Sequence, residues 1–223
     1  MGAVIGEILP LALGIAISPI PIIAAILMLL SPRARGTSLG FLLGWVLGIV
    51  VAVVVFTLLS SILPDEDDGG SKPVAGVIKL VLGALLLLLA IRQWRARPRG
   101  DAEPALPKWM SAIDSMTPFR GLALGFVLSA LNPKNLLMGV AAGVAVGSGD
   151  LRIGDEVIAI AVFTVLAAST VAVPVLGYLA ASAKISGALE ALRKWLVHNN
   201  ATVMAVLLLV LGVVTIGKGI GSF

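Results

Sequence analysis

The chain has 223 residues, 59% hydrophobic and only 13% charged, with a formal net charge of +4. That balance excludes an ordinary soluble domain and fits a polytopic membrane protein. The lack of cysteine excludes thiol redox chemistry and thiolate metal sites, and no nucleic-acid motif accompanies the positive charge, so no nucleic-acid partner is expected.

Apolar segments at about 4–30, 38–63, 74–92, 120–147, 157–181 and 201–220 are each near the length a bilayer crossing needs. The first, from Val4 to Leu30, has no basic flank before it and no small-residue cleavage site after it, so it reads as a retained span. Six spans put both termini on one side. The loops after spans one, three and five carry Arg33 and Arg35; Arg92, Arg95, Arg97, Arg99, Lys108 and Arg120; and Lys184, Arg193 and Lys194. The opposite loops hold only Lys72 and Arg152, with the acidic run Asp65, Glu66, Asp67 and Asp68. Positive loops stay in the cytoplasm, so both termini are expected outside a cytoplasmic (inner) membrane.

The start of span one reads "ALGIAISPIP" from Ala12, and that of span four "ALGFVLSALNP" from Ala123. A second echo pairs "LVLGALLLLL" in span three with "LVLGVVTIG" in span six. Two halves of three spans follow, and an odd number per half inverts one against the other, as in many secondary transporters. The organisation expected is 1–92 as the first repeat, 93–119 as a basic cytoplasmic linker, and 120–223 as the second repeat. Within the last, 184–197 has apolar Ile185, Leu189, Leu192 and Leu196 opposite Lys184, Glu190, Arg193 and Lys194, the pattern of an interfacial helix. The segment 104–116 is similar, and 93–107 reads as a mobile linker.

Spans one and four break at matching depths. Pro19 and Pro21 lie about 15–17 residues into span one, and Asn132 to Asn135 about 12–15 into span four, both near the bilayer midplane at roughly 1.5 Å per residue. Each proline displaces the carbonyl four residues earlier, which points to Ile15, Ile17 and Ser129. Such backbone is tolerated at depth only when buried in protein or lining a wet cavity. A packing kink would need only the proline, whereas "NPKN" adds three polar side chains. Glycines at four-residue spacing, Gly36, Gly40, Gly44 and Gly48 in span two and Gly139, Gly143 and Gly147 in span four, allow close helix approach. Packing inside one subunit is the first reading of these faces, and a homodimer through them the alternative.

Lys134 is the charge nearest a span centre, since Lys79 and Lys218 can snorkel to span ends. An ammonium at mid-membrane costs about 2.5–3.5 kcal/mol. No carboxylate lies in a span centre, so Lys134 is neutral, bonded to carbonyls freed by the breaks, or waiting for an anion. The lack of carboxylates argues against divalent-cation transport. The single histidine, His198, sits at the inner interface, which argues against proton-coupled amine export. An anionic substrate fits best, with Asn132 and Asn135 as flanking donors and Ser18, Pro19, Pro21, Ser129 and Pro133 completing the candidate site. An enzyme is not expected, because catalysis would rest on Ser18, Ser129 or Lys134 alone; no cofactor or metal is expected either.

The "SPIP" and "ALNPKN" breaks in two inverted halves resemble the LysE superfamily of exporters. With the acidic outer loop, the "LLGALLLLLAIRQW"-like third span and the long basic cytoplasmic loop, the chain is most similar to the GAP branch, the actinobacterial glycopeptidolipid- and sulfolipid-addressing proteins. Branches that use acidic metal ligands or a CxxC pair are excluded. The resemblance implies export of small or amphiphilic compounds, and for the GAP branch, help for glycolipids to reach the cell surface beside a larger lipid exporter. The expected protein is therefore an all-α membrane transporter of an anionic lipid or lipid-linked glycan, embedded among membrane lipids. The alternatives are an exporter of small amphiphilic metabolites such as amino acids, and a non-transporting scaffold of a lipid-export complex.

Overall fold

Proline punctuates the apolar runs, and four of the described helices begin at one. The computed structural model describes residues 1–62, 73–97 and 108–221. Its helices are α1 (Gly2–Ala16), α2 (Pro19–Leu29), α3 (Ala34–Ile62), α4 (Pro73–Arg95), α5 (Pro118–Phe126), α6 (Pro133–Gly147), α7 (Ile153–Ala181) and α8 (Ile185–Ile220). A short 3-10 helix, Lys108–Ser115, precedes α5, and a π-helical turn, Val127–Leu131, follows it. Among the described residues all regular structure is helical. The acidic run at 65–68, Lys72, and the linker residues 98–107 with Arg99 lie outside the described residues.

Proline opens four of the described helices, α4 at Pro73 among them. Pro19, Pro118 and Pro133 occupy first-turn positions, where a missing N–H removes no helical bond. Thr117 caps α5 by accepting from the Arg120 N–H at 3.3 Å, and Asn132 caps α6 by accepting from the Lys134 N–H at 3.1 Å. α3, α7 and α8 are each long and apolar enough to cross a membrane. The α1/α2 pair, bent by 51°, and the α5-to-α6 pair, bent by 64°, each qualify as one broken span, giving up to five crossings by this measure. The chain is thus a multi-pass membrane protein.

The described residues fall into two units, 1–62 with 108–194 and 73–97 with 195–221. This spatial division differs from the division into sequence halves: the first unit takes α1–α3 and α5–α7, and the second takes α4 and most of α8. In the first unit α2 is apolar on every side, and Ile23, Ala24, Ala25, Ile26, Met28 and Leu29 are all inaccessible. A helix with no polar face and no lipid-facing stripe belongs in the middle of a bundle. α3 is two-sided instead. Leu39, Leu43, Leu47 and Val51 are exposed, while the glycine stripe packs on α5.

That packing is close enough to exclude any side chain. A Cβ at Gly40 would overlap the Pro118 carbonyl oxygen, and one at Gly44 the Leu122 carbonyl oxygen. Gly121 and Gly125 return the fit against the Thr37 and Phe41 carbonyls, and Gly143 and Gly147 continue it along α6 against Val53 and Thr57. These glycine faces therefore pack within one chain.

α7 and α8 are separated by a kink at Ala181 (φ −150°, ψ 52°), and residues 185–197 are continuous with the rest of α8. Leu189 and Leu196 are buried but Leu192 is exposed, and Arg193 pairs with Glu190 at 2.6 Å. At about 1.5 Å per residue the 36 residues of α8 are longer than the roughly 30 Å hydrocarbon core.

Candidate functional site at two helix breaks

Both breaks meet inside the first unit. α1 ends at Ala16, and Ser18 takes an extended conformation (φ −98°, ψ 106°) before α2 begins. Serine is a favoured N-cap, yet the Ser18 hydroxyl makes no capping bond to its own helix. It faces Lys134 instead. The Lys134 ammonium donates to Ser18 Oγ at 2.6 Å and to the Gly14 carbonyl at 2.7 Å, 120 residues away in sequence. Ser18 Oγ donates in turn to Asn135 Oδ1 at 3.4 Å, and Asn135 Nδ2 donates to the Leu128 carbonyl at 2.9 Å. Ser18, Lys134 and Asn135 are all buried.

Local backbone chemistry explains each partner. Once the chain leaves the helix at Ser18, the Gly14 carbonyl loses its usual N–H partner four residues on, and the ammonium takes that place. On the other side, the π turn shifts the bonding register from four residues to five. In that register the Leu128 carbonyl would be served by residue 133, which is proline and has no N–H. The Asn135 amide supplies the missing donor. Sequence reasoning pointed to the carbonyls of Ile15, Ile17 and Ser129; the side-chain donors reach Gly14, Ala16 and Leu128, because the helix stops earlier and the π turn displaces the register.

The profile of the family of Sap, the sulfolipid-1-addressing protein, matches residues 8–221. The chain belongs to this family. No curated protein and no solved structure matches it. The match agrees with the sulfolipid-addressing side of the GAP resemblance, and it connects this Sap-family chain to sulfolipid addressing.

Of the eight residues singled out from sequence, Lys134, Asn135 and Ser18 form one hydrogen-bonded cluster in this Sap-family protein. Asn132 is half-buried and acts as the α6 cap, and Pro133 beside it is exposed. Pro19 and Pro21 are buried in the first turn of α2. Ser129 stays apart: its hydroxyl donates back to the Gly125 and Phe126 carbonyls at 3.0 and 3.1 Å and presses against Gly48. Two participants were missed. Gly14 contributes only a carbonyl, which no side-chain pattern reveals. Thr170 on α7 donates to the Ala16 carbonyl at 2.6 Å, closing the other freed group of the first break. A hydroxyl four residues before Pro174 in an apolar span was its one visible signal.

Proposed function

We propose that this Sap-family protein moves an anionic lipid or lipid-linked glycan outward across the cytoplasmic membrane, without enzymatic chemistry. In this reading α4, at 23 residues, also crosses and brings the spans to six, both termini face outside, and the two halves are inverted repeats. The observation that carries the reading is the Lys134 ammonium, buried between two broken helices with one N–H beyond its two bonds to the first break. The N-terminal ends of α2 and α6 also start at this cluster, and helix N-termini favour negative charge.

Two features support the inverted repeat. Each half gives its first two spans to one unit and its third span to the other. Gly83 and Gly212, the matching glycines of the "LVLG" echo, also pack on each other reciprocally. A Cβ on Gly83 would lie 3.0 Å from the Gly212 carbonyl oxygen, and one on Gly212 would lie 3.1 Å from that of Gly83. Equivalent residues in mutual contact are the mark of a two-fold relation. Kinship with the wider LysE superfamily rests on the break motifs alone.

That Lys134 already has two protein acceptors favours a second reading, an accessory role beside a larger exporter in which the lysine only pins the breaks together. Reconstitution separates the two. Purified protein in liposomes should carry a labelled anionic glycolipid between leaflets, and Lys134→Met should slow this about tenfold or more, the factor that loss of one charge-assisted bond to substrate implies. Folded wild-type protein that moves no lipid alone, yet is needed for envelope lipid display in cells, supports the accessory role. A Lys134→Met protein with wild-type transport would end the anion-site reading.

A further inference from the structure

A second lipid-facing feature lies wholly within the second unit. Beyond the Gly83–Gly212 contact, α4 and α8 leave a groove of about 400 Å³ between them. Ala90, Ile91 and Trp94 line it from one side, and Ala205, Val206 and Leu209 from the other. Two alanines facing each other open the space, while Leu87 closes on Gly212 next to it. The size falls within the ~300–1,000 Å³ typical of small-molecule sites. The lining is apolar except at one end, where Arg95 forms the rim.

The charge at that rim decides what fits. Arg95 ends α4, with Arg92 one turn before it, both exposed. Arg97 follows, its guanidinium stacked 3.8 Å from the centre of the Trp94 ring. An apolar slot with the Arg95 guanidinium at its rim and that of Arg97 stacked on its Trp94 wall matches a molecule with an acyl chain and an anionic head. A peptide helix would fill the slot but leave the arginines without partners, and a neutral lipid would do the same. Basic pockets between membrane helices on the cytoplasmic side hold anionic headgroups for this reason. We propose that the α4–α8 groove binds one anionic phospholipid of the cytoplasmic leaflet, with an acyl chain between Ala90 and Ala205 and the headgroup phosphate on Arg95. The site is independent of Lys134 and stands whether or not the chain itself moves lipid.

The test titrates full-length protein in mild detergent with phosphatidylglycerol or phosphatidylcholine and counts bound lipids by native mass spectrometry. Wild type should retain one phosphatidylglycerol about fivefold more tightly than phosphatidylcholine, the factor expected from one arginine at the headgroup. Arg95→Gln should abolish that preference and leave thermal unfolding in lipid-free detergent unchanged. Ala205→Leu, which fills the slot, should weaken both lipids; if it does not fold, Val206→Trp at the exposed edge makes the same test. A preference that survives Arg95→Gln, binding that ignores both groove-filling variants, or a lipid-free dimer that blocks phosphatidylglycerol would each overturn the proposal.

Discussion

Replacing Lys134 by methionine sets two opposing effects against each other, and the structure fixes their sizes. Methionine has similar length and no charge, so it removes the roughly 2.5–3.5 kcal/mol that an ammonium costs in the membrane interior. It also removes the bonds to Gly14 O and Ser18 Oγ. Hydrogen bonds to charged groups contribute about 1.5–3 kcal/mol each, hence roughly 3–6 kcal/mol for the two. The difference favours lysine by about 0–3 kcal/mol, and because the Gly14 carbonyl is left unpartnered we expect a loss of about 1–2 kcal/mol. For a chain of this size that is roughly 2–8 °C in thermal midpoint. Unfolding in detergent, followed by circular dichroism, reads it directly. Ser18→Ala should lower the midpoint too, but adding it to Lys134→Met should lower it little further, because the two residues share one bond. A Lys134→Met protein more stable than wild type would refute the reasoning, as would full additivity in the double variant. Either result would mean that the lysine bonds do not offset its burial.

Other outcomes follow from the packing. Thr170→Val should cost about 0.5–1.5 kcal/mol by stripping the donor from the Ala16 carbonyl, with Thr170→Ser close to wild type in thermal unfolding. Gly44→Leu should prevent stable folding, since even its Cβ overlaps the Leu122 backbone, whereas Gly187→Ala, with open space around it, should gain about 0.5–1 kcal/mol in the same assay. Orientation can be read with single cysteines, because the chain has none of its own. Ser148→Cys should react with an impermeant maleimide on intact cells and Arg35→Cys only after permeabilisation; the reverse pattern would invert the topology.

The apolar helices and the two breaks were legible because hydrophobic run length, proline and glycine act locally. Pro19 and Pro133 start helices where the sequence placed interruptions, and the "NPKN" polar excess marked the residue that crosses between breaks. The acceptors were not legible. A proline rule names the carbonyl four residues back, but the chain had already left the helix at Ser18, and the π turn moved the second vacancy from Ser129 to Leu128. Thr170 escaped because its partner is 154 residues away and nothing in span five announces which carbonyl it will meet. Residues 184–197 have the periodicity of a helix lying on the membrane. The same periodicity also fits the first turns of a long helix, and residues 185–197 are continuous with the rest of α8.

The fit of α3 against α5 bears on how this chain tolerates change. Where a carbonyl oxygen rests against a glycine Cα, the two backbones are separated by a hydrogen atom, and no rearrangement of neighbouring side chains can make room. A saturation scan of α3 should therefore show two positions one turn apart, Gly40 and Gly44, that reject alanine as firmly as tryptophan, whereas Gly48 meets the rotatable Ser129 hydroxyl and should accept alanine more readily. Leucines on the opposite side should accept almost any apolar replacement. Ordinary cores grade substitutions by size; this seam has no such gradation. Drift in the family would then be confined to the exposed side of α3, and the α3–α5 pair would persist as a fixed frame.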